Sequence, residues 1–434
     1  MNPLRIQLRP LPRVLTAGLL LVGLPPVSSQ AQPAAPGSSI LTLDESGHLK
    51  IIPEERSAID GDHAADSSGR LIRTRGPWGN LEGAFVFIEA PQSIVDAYPI
   101  PDRQTRWAFP LDERPRLQQQ LEDVGLDPRL VQSLLSSDRL RQGRNHLYLL
   151  PTVDEVVSID RDTRSRLCAL LAEFPTNPQQ QNPLIITGRS VQTFFRTSPL
   201  RSELVDMIDR LSYSRGSALV FSDLSILVGM ARTDAEVKLI AKSMTRARAA
   251  MLHLVVEPTT RIQDVLAYWT LGSGFRTKDV EPILQSIAAT DGIDSLPIGH
   301  LLPPVPRKLL YTFASPDYAK YGSLPDCHWT TLNFFRTEPQ AYYLDADIAI
   351  NGILTEHERV EGEPSYGDVL FFRRVSTGLS IHSCIYLAGG FVFTKNGLNM
   401  VSPWTIMPLN DVKDIYLTDD ARMEILRRKN LPDE

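Results

Sequence analysis

The 434-residue sequence has little of what marks several common protein classes. It contains only 3 cysteines, far too few for the disulfide framework of small secreted domains. Its first 300 residues hold no glycine-rich phosphate loop, no His-Glu-x-x-His zinc helix and no paired cysteine knuckles. A formal charge of -6 disfavours nucleic acid as a partner. The function of this long first part is therefore not readable from its residues.

The first 31 residues have the composition of a secretory signal peptide. Arg5, Arg9 and Arg13 precede an apolar run at 14–24, and small residues at 29–31 offer a cleavage point. The apolar run is about half of the roughly 20 residues needed to span a bilayer, so we predict cleavage rather than anchoring. We expect an exported protein, periplasmic or extracellular, with no membrane anchor after signal cleavage.

Length and composition predict more than one folded region after the signal. The chain exceeds the roughly 250 to 300 residues of a single core, and 42% hydrophobic residues argue against disorder. Residues 32–39 are rich in Pro, Ala, Gly and Ser and predict a flexible leader. Residues 40–300 predict a helix-rich α+β accessory region, in which short β-like runs alternate with amphipathic helices. The prolines of 301–307 exclude regular helix and predict a linker to a last domain at 308–434.

Local signals in the accessory region predict individual elements. Runs at 84–88 and 147–150 are typical of strands. Helix starts are predicted at Ser198, Thr233 and Thr260, where a capping residue precedes an apolar periodic segment. Each of these features is explained by packing, without a ligand.

A cysteine stands at the start of a predicted helix after the linker. Trp329, Leu332 and Phe335 keep helical spacing behind Cys327. Free N–H groups and the dipole at a helix start stabilise a thiolate. This position favours a nucleophilic cysteine, and we interpret the adjacent His328 as a local helix residue.

Further along, the sequence predicts a β-hairpin. Residues 367–372 read as a turn that enters a buried strand, and 381–387 read as the next strand. Glycines at the tight turn 388–390 precede a returning strand at 391–397.

The register of this hairpin decides which side chains share a face. A hairpin centred on the glycine turn places His382 opposite Asn396 and Cys384 opposite Thr394, all on one face, while Lys395 points to the other. A cysteine hydrolase needs a polar side chain that holds the tautomer of its imidazole. Asn396 is the preferred candidate because its amide oxygen can accept the ring N–H, and Thr394 is the alternative.

Together, Asp-Cys at a helix start, Gly-Asp-Val-Leu-Phe-Phe, and His-x-x-Ile-Tyr-Leu before a glycine turn resemble the NlpC family of papain-like cell-wall cysteine peptidases. The resemblance covers the last domain and implies an α+β fold in which the cysteine-bearing helix packs on an antiparallel sheet. It implies hydrolysis of an amide bond, in peptidoglycan stem peptides or another amide substrate, with Cys327 as nucleophile and His382 as base. No cofactor is implied, and Tyr318 or Tyr321 is a candidate to complete the site.

Three alternatives to the hydrolase remain open at this point. Export permits oxidation, so Cys327 and Cys384 could form a disulfide. Cys327, His328, His382 and Cys384 supply two sulfurs and two nitrogens for zinc, although adjacent Cys-His seldom chelates one ion. The domain could also be a non-catalytic module that retains the papain-like fold and binds cell-wall glycopeptide or a protein partner at the former active-site cleft. Cys168 stands apart, since its helical neighbours predict a buried core thiol.

Overall fold

The computed structural model describes residues 39–43, 49–53, 72–98, 100–270 and 277–429. In these residues the chain is a mixed α+β protein of helices and antiparallel sheets, as the sequence predicts at that level. The predicted signal peptide and all but the last residue of the predicted leader lie outside the described residues. None of the described helices combines the length and the apolarity that a bilayer-spanning segment requires.

The elements are numbered in chain order. The helices are α1 Gln92–Val95, α2 Leu117–Asp123, α3 Pro128–Leu134, α4 Val153–Ser158, α5 Arg161–Ala172, α6 Pro178–Gln181, α7 Val191–Phe195, α8 Ser202–Leu211, α9 Leu224–Met230, α10 Asp234–Ser243, α11 Ile262–Trp269, α12 Thr277–Ala288, α13 Pro304–Leu309, α14 Cys327–Leu332, α15 Ala346–Glu356 and α16 Leu409–Tyr416. The strands are β1 Ser39–Leu43, β2 Leu49–Pro53, β3 Ile72–Gly76, β4 Gly79–Ile88, β5 Trp107–Pro110, β6 Leu140–Gln142, β7 His146–Leu149, β8 Leu184–Ile186, β9 Tyr213–Arg215, β10 Ala218–Phe221, β11 Ala247–Val255, β12 Ser295–Pro297, β13 His357–Val360, β14 Val369–Arg374, β15 Ser380–Ala388, β16 Phe391–Lys395, β17 Trp404–Pro408 and β18 Ala421–Arg428.

Residues before 300 form several small antiparallel sheets. The largest has the order β12-β11-β4-β3, and two three-stranded sheets have the orders β5-β7-β6 and β8-β10-β9. The strands β1 and β2 pair with each other. The predicted strands at 84–88 and 147–150 are confirmed, since the first lies within the longer strand β4 and the second matches β7 to within one residue.

One of the three predicted helix caps is confirmed. The hydroxyl of Thr233 caps α10 by accepting from the N–H of Glu236 at 3.1 Å. Ser198 lies ahead of the start of α8, and the hydroxyl of Thr260 accepts from the N–H of Glu257, so both predicted starts were wrong. A capping residue that finds a bond in the preceding turn is no longer free to cap a helix. Cys168 is a buried thiol on α5, as predicted.

The C-terminal region is organised around a six-stranded antiparallel sheet with the order β13-β18-β14-β15-β16-β17. In the hairpin of β15 and β16, Ile385 pairs with Phe393 and Tyr386 pairs with Val392, which is the predicted register. A bulge beyond Tyr386 then shifts Ala388 opposite Phe391. The turn residue Gly389 has a φ of 56°, a conformation that favours glycine.

The helices α14 and α16 cover opposite faces of this sheet. The hydroxyl of Ser383 on β15 lies 2.9 Å from the hydroxyl of Thr331 on α14. The neighbouring His382 instead stacks on Tyr416 of α16, with ring centroids 3.9 Å apart. Because successive residues of a strand point to opposite faces, α14 packs on the Ser383 side and α16 on the His382 side.

The predicted linker at 301–307 is part of the core. Leu301 and Leu302 are buried in one apolar cluster with Trp269, which precedes the segment, and with Trp329, which follows it. The expectation that its prolines exclude helix was wrong, because α13 begins at Pro304. A proline in the first helical turn sacrifices no intrahelical hydrogen bond.

Candidate functional site

A cavity of about 630 Å³ opens beside the first residue of α14. Arg215 and Arg248 line it from the part of the chain before residue 300, and Cys327, Asn396 and Tyr416 line it from the C-terminal region. Much of the wall is apolar and includes Val95, Ile100, Leu184, Ile185, Phe221, Met244, Ile381, Val401, Met407 and Ile415. The site is therefore a mostly apolar space shared by distant parts of the sequence.

Cys327 is the first residue of α14, as predicted. The carboxylate of Asp326 caps the helix by accepting from the N–H of Trp329 at 2.8 Å. The Cys327 side chain is buried, and burial together with the negative charge of Asp326 raises the pKa of the thiol far above its ordinary value. Both effects favour the protonated thiol, whereas the helix-start position predicts a thiolate.

His382 is fully buried on the face covered by α16. Its Nε2 lies 3.1 Å from the hydroxyl of Thr394, and its Nδ1 has no hydrogen-bond partner among the described residues. Burial lowers the pKa of His382, and the charge of His328 lowers it further. The structure does not form the expected hydrogen bond between His382 and Cys327, because α14 packs on the other face of β15.

Of the two candidate orienting residues, the structure brings Thr394 to the imidazole and not the preferred Asn396. The amide nitrogen of Asn396 donates to the sulfur of Met407 at 3.1 Å, and its amide oxygen accepts from the hydroxyl of Tyr416 at 3.4 Å. Asn396 follows the last residue of β16, and its side chain reaches the α16 face at Met407 and Tyr416 rather than at the imidazole.

His328 is the imidazole beside the cysteine, interpreted from the sequence as a local helix residue or, in the zinc hypothesis, as one of four ligands. Donor atoms of Asp326, Cys327 and His328 lie within 4.8 Å of one another. The Nδ1 of His328 lies 2.9 Å from the hydroxyl of Ser383, and its Nε2 lies 3.1 Å from that of Ser380. Both ring nitrogens are thus engaged, and burial lowers the pKa of His328. A helical position next to a cysteine is a weak signal, so sequence reasoning missed it.

For Lys395, the sequence predicted only which face of the sheet its side chain occupies. It lies opposite Trp404, whose ring contacts Trp329 of α14, so its direction away from His382 is as predicted. Its buried ammonium donates to the carbonyls of Gly397 at 2.9 Å and Asn399 at 2.7 Å. Burial lowers the pKa of Lys395 to about 8, against the opposing effect of the nearby Asp326 carboxylate.

The other predicted arrangements around Cys327 are not assembled. All three cysteines are free, so the Cys327 to Cys384 disulfide is not formed. Within the described residues, the single group of three potential metal ligands is Asp326, Cys327 and His328, without the His382 and Cys384 of the zinc hypothesis. Adjacent residues seldom chelate one ion, and both nitrogens of His328 are bonded to serines.

The two candidate tyrosines stand outside the cavity wall. Tyr318 packs edge-on against Trp329, with ring centroids 6.0 Å apart. Tyr321 is 52% exposed. Neither side chain forms part of the space next to Cys327.

The chain has no significant match among protein-family models, curated proteins or solved structures. The resemblance to the NlpC family therefore depends on the motif residues themselves. The functional roles of Cys327, His382, Asn396 and Thr394 stay predictions.

Proposed function

We propose that this protein is an exported binding module, with an NlpC-like, papain-like C-terminal unit in which the cysteine cleft has become a ligand cavity. The observation that carries the proposal is that His382 faces α16 while Cys327 begins the helix on the opposite face, next to a space of about 630 Å³. A helix that starts with cysteine and packs on an antiparallel sheet supports the papain-like part of the proposal.

The chemistry of the site favours binding over hydrolysis. A cysteine hydrolase needs a base within hydrogen-bond reach that takes the thiol proton. His382 is bonded to Thr394, and both nitrogens of His328 are bonded to serine hydroxyls. The raised pKa of Cys327 keeps the sulfur in its less reactive form.

The size and lining of the cavity suit a ligand. Ligand sites typically measure roughly 300 to 1,000 Å³ and combine apolar walls with a few polar groups, and this cavity matches both features. We propose as occupant a molecule with an apolar segment that occurs outside the cytoplasm, such as a cell-wall peptide or a protein partner.

The second candidate function is the cysteine amidase acting on peptidoglycan stem peptides. It is favoured by one observation, which is that Cys327 lines the cavity at the start of α14 instead of being sealed within the core. Turnover would require a rearrangement that frees His328 or Lys395 to accept the thiol proton.

Thiol labelling separates the two functions. Iodoacetamide at about pH 6, below the ordinary thiol pKa of about 8.5, reacts quickly only with an activated cysteine. We expect Cys327 and Cys168 to react equally slowly in the folded mature protein, and all three cysteines to react after unfolding in urea. Peptidoglycan fragments should remain intact with both the wild-type protein and Cys327→Ala.

The proposal of a binding module would be overturned by the reverse pattern. Selective labelling of Cys327 at least about tenfold faster than Cys168, together with fragment cleavage that disappears in Cys327→Ala, would establish the amidase.

A further inference from the structure

The charged residues that line the cavity differ in how they are neutralised. Arg246 forms an ion pair with Glu89 at 2.7 Å. Arg248 forms an ion pair with Asp411 at 3.3 Å. Asp326, a carboxylate of the wall itself, caps α14. These three charges therefore already have partners or roles inside the protein.

Arg215 is the exception. It is half-buried at the end of β9, and its Nη1 donates to the carbonyl of Gln181 at 3.1 Å. Within the part of the chain that the structure describes, no carboxylate lies within ion-pair distance of its guanidinium. Burial lowers the pKa of Arg215, and the one group that opposes this effect is Tyr213 rather than an acid. A cation that is partly removed from water without a counter-charge loses solvation that a bound anion would offset, which favours a ligand anion at this position.

The neighbours of Arg215 define what else the ligand meets. Leu184 and Ile185 of β8 line the same cavity, and β8 and β9 flank the central strand β10. A guanidinium presents a planar fork of N–H donors that matches a carboxylate in a bidentate arrangement. A single cation balances one negative charge, so a monoanion fits this wall better than a phosphate dianion.

Resting on the proposed binding function, we infer that the ligand is an apolar molecule that ends in a carboxylate, with the carboxylate bound by Arg215 and the apolar body in the cavity. This chemistry has two sources, an acyl chain and the free C-terminus of an apolar peptide. Both place one negative charge at one end of an uncharged body.

Calorimetric titration of the mature protein with matched pairs tests the inference. The acyl pair is dodecanoate and dodecanol, and the peptide pair is acetyl-Leu-Leu-Phe with a free carboxylate and with a C-terminal amide. At least one acid should bind about tenfold to a hundredfold more tightly than its neutral partner, as expected for a charge-assisted hydrogen bond. The pair that shows the larger preference identifies the source.

Substitutions test whether Arg215 causes the preference for the acid over the neutral compound. Arg215→Gln should reduce the acid-over-neutral ratio to about one, whereas Arg215→Lys should keep only part of it, because the charge remains but the bidentate fork is lost. Arg210→Gln is the matched control, since Arg210 is an exposed arginine on α8 that does not line the cavity. Its ratio should equal that of the wild type.

The outcomes distinguish the two levels of the proposal. If none of the four compounds binds, the cavity-binding function itself fails. If acid and neutral compounds bind equally to the wild type, the binding function stands and the carboxylate inference is overturned. If Arg215→Gln does not fold, Arg215→Lys decides the question, because a ratio clearly below that of the wild type supports the assignment and an unchanged ratio contradicts it. Loss of the ratio in Arg210→Gln would also contradict the assignment to Arg215.

Discussion

The two faces of the C-terminal sheet carry two histidines in different settings. On the α16 face, His382 stacks in parallel on Tyr416 at 6° and bonds a single hydroxyl, within an apolar cluster. On the α14 face, His328 sits among Ser380 and Ser383, close to Cys327 and the cavity. The polar groups close to Cys327 thus lie on the α14 face, whereas His382, the histidine of the NlpC-like motif, is packed on the α16 face.

This contrast shows how strongly the composition of the site depends on the alternation of side chains along one strand. His382 and Ser383 are adjacent in the chain, yet they face different helices because side chains alternate along β15. A motif histidine in the right order and at the right spacing can therefore stand on the wrong side of the backbone for catalysis. The face that α14 covers decides which of the two residues can meet the cysteine.

The largest expected effect comes from removing the imidazole of the α16 face. His382→Ala should lower the free energy of unfolding by about 3 kcal/mol, because it leaves a cavity against Tyr416. His382→Phe is the matched control, since it keeps a ring in the stack and should cost about 1 kcal/mol for the lost bond to Thr394. Urea denaturation measures both values. Equal stability of His382→Ala and the wild type would break the view that this histidine is structural.

On the α14 face, the corresponding test is Lys395. We expect Lys395→Met to lower the free energy of unfolding by about 2 kcal/mol, because the carbonyls of Gly397 and Asn399 lose their buried donor. Exchange of Lys320, an exposed residue outside the cavity, for Met is the control and should be close to neutral. A Lys395→Met protein as stable as the wild type would mean that methionine packing fully replaces the ammonium.

Much of this domain could be predicted from sequence because the signals are local. The apolar spacing after Cys327 gave the start of α14, and the glycine turn gave the register of Ile385 with Phe393. Capping and turn chemistry involve residues a few positions apart, so one sequence contains all the information they need. The same reasoning failed at Pro304, where position within the helix matters more than residue type.

Two features could not be predicted from the sequence. They are the face of the sheet that α14 covers and the distant residues that line the cavity. From Ile381 to Ala388 every residue of β15 is buried, so no polar alternation indicates which face α14 covers. Arg215 and Arg248 line the cavity although they lie 112 and 79 residues before Cys327 in the chain. Contacts at that separation leave no periodic trace in a single sequence.

A third test compares the two orienting candidates. We expect Thr394→Val to lower the free energy of unfolding by about 1 to 2 kcal/mol, because both nitrogens of the buried His382 would then lack a partner. Asn396→Ala should cost less, since Asn396 is half-buried and does not contact the imidazole. Urea denaturation of the two variants side by side ranks them, and the reverse order would restore Asn396 as the residue that holds the ring.

The smallest expected effect is a dependence of stability on pH that the buried histidines share. Burial lowers the pKa of His382, so near pH 6.5 the unfolded chain takes up a proton that the native imidazole does not. Its stabilising contribution is complete above that pH and declines as the pH falls towards the native pKa, by about 1 kcal/mol per pH unit. Urea denaturation at several pH values should give a shallower slope for His382→Phe than for the wild type. Part of the slope should remain, because burial also lowers the pKa of His328 on the opposite face. Identical slopes would mean that the imidazole of His382 titrates alike in the native and unfolded states, which would contradict the effect of its burial against Tyr416.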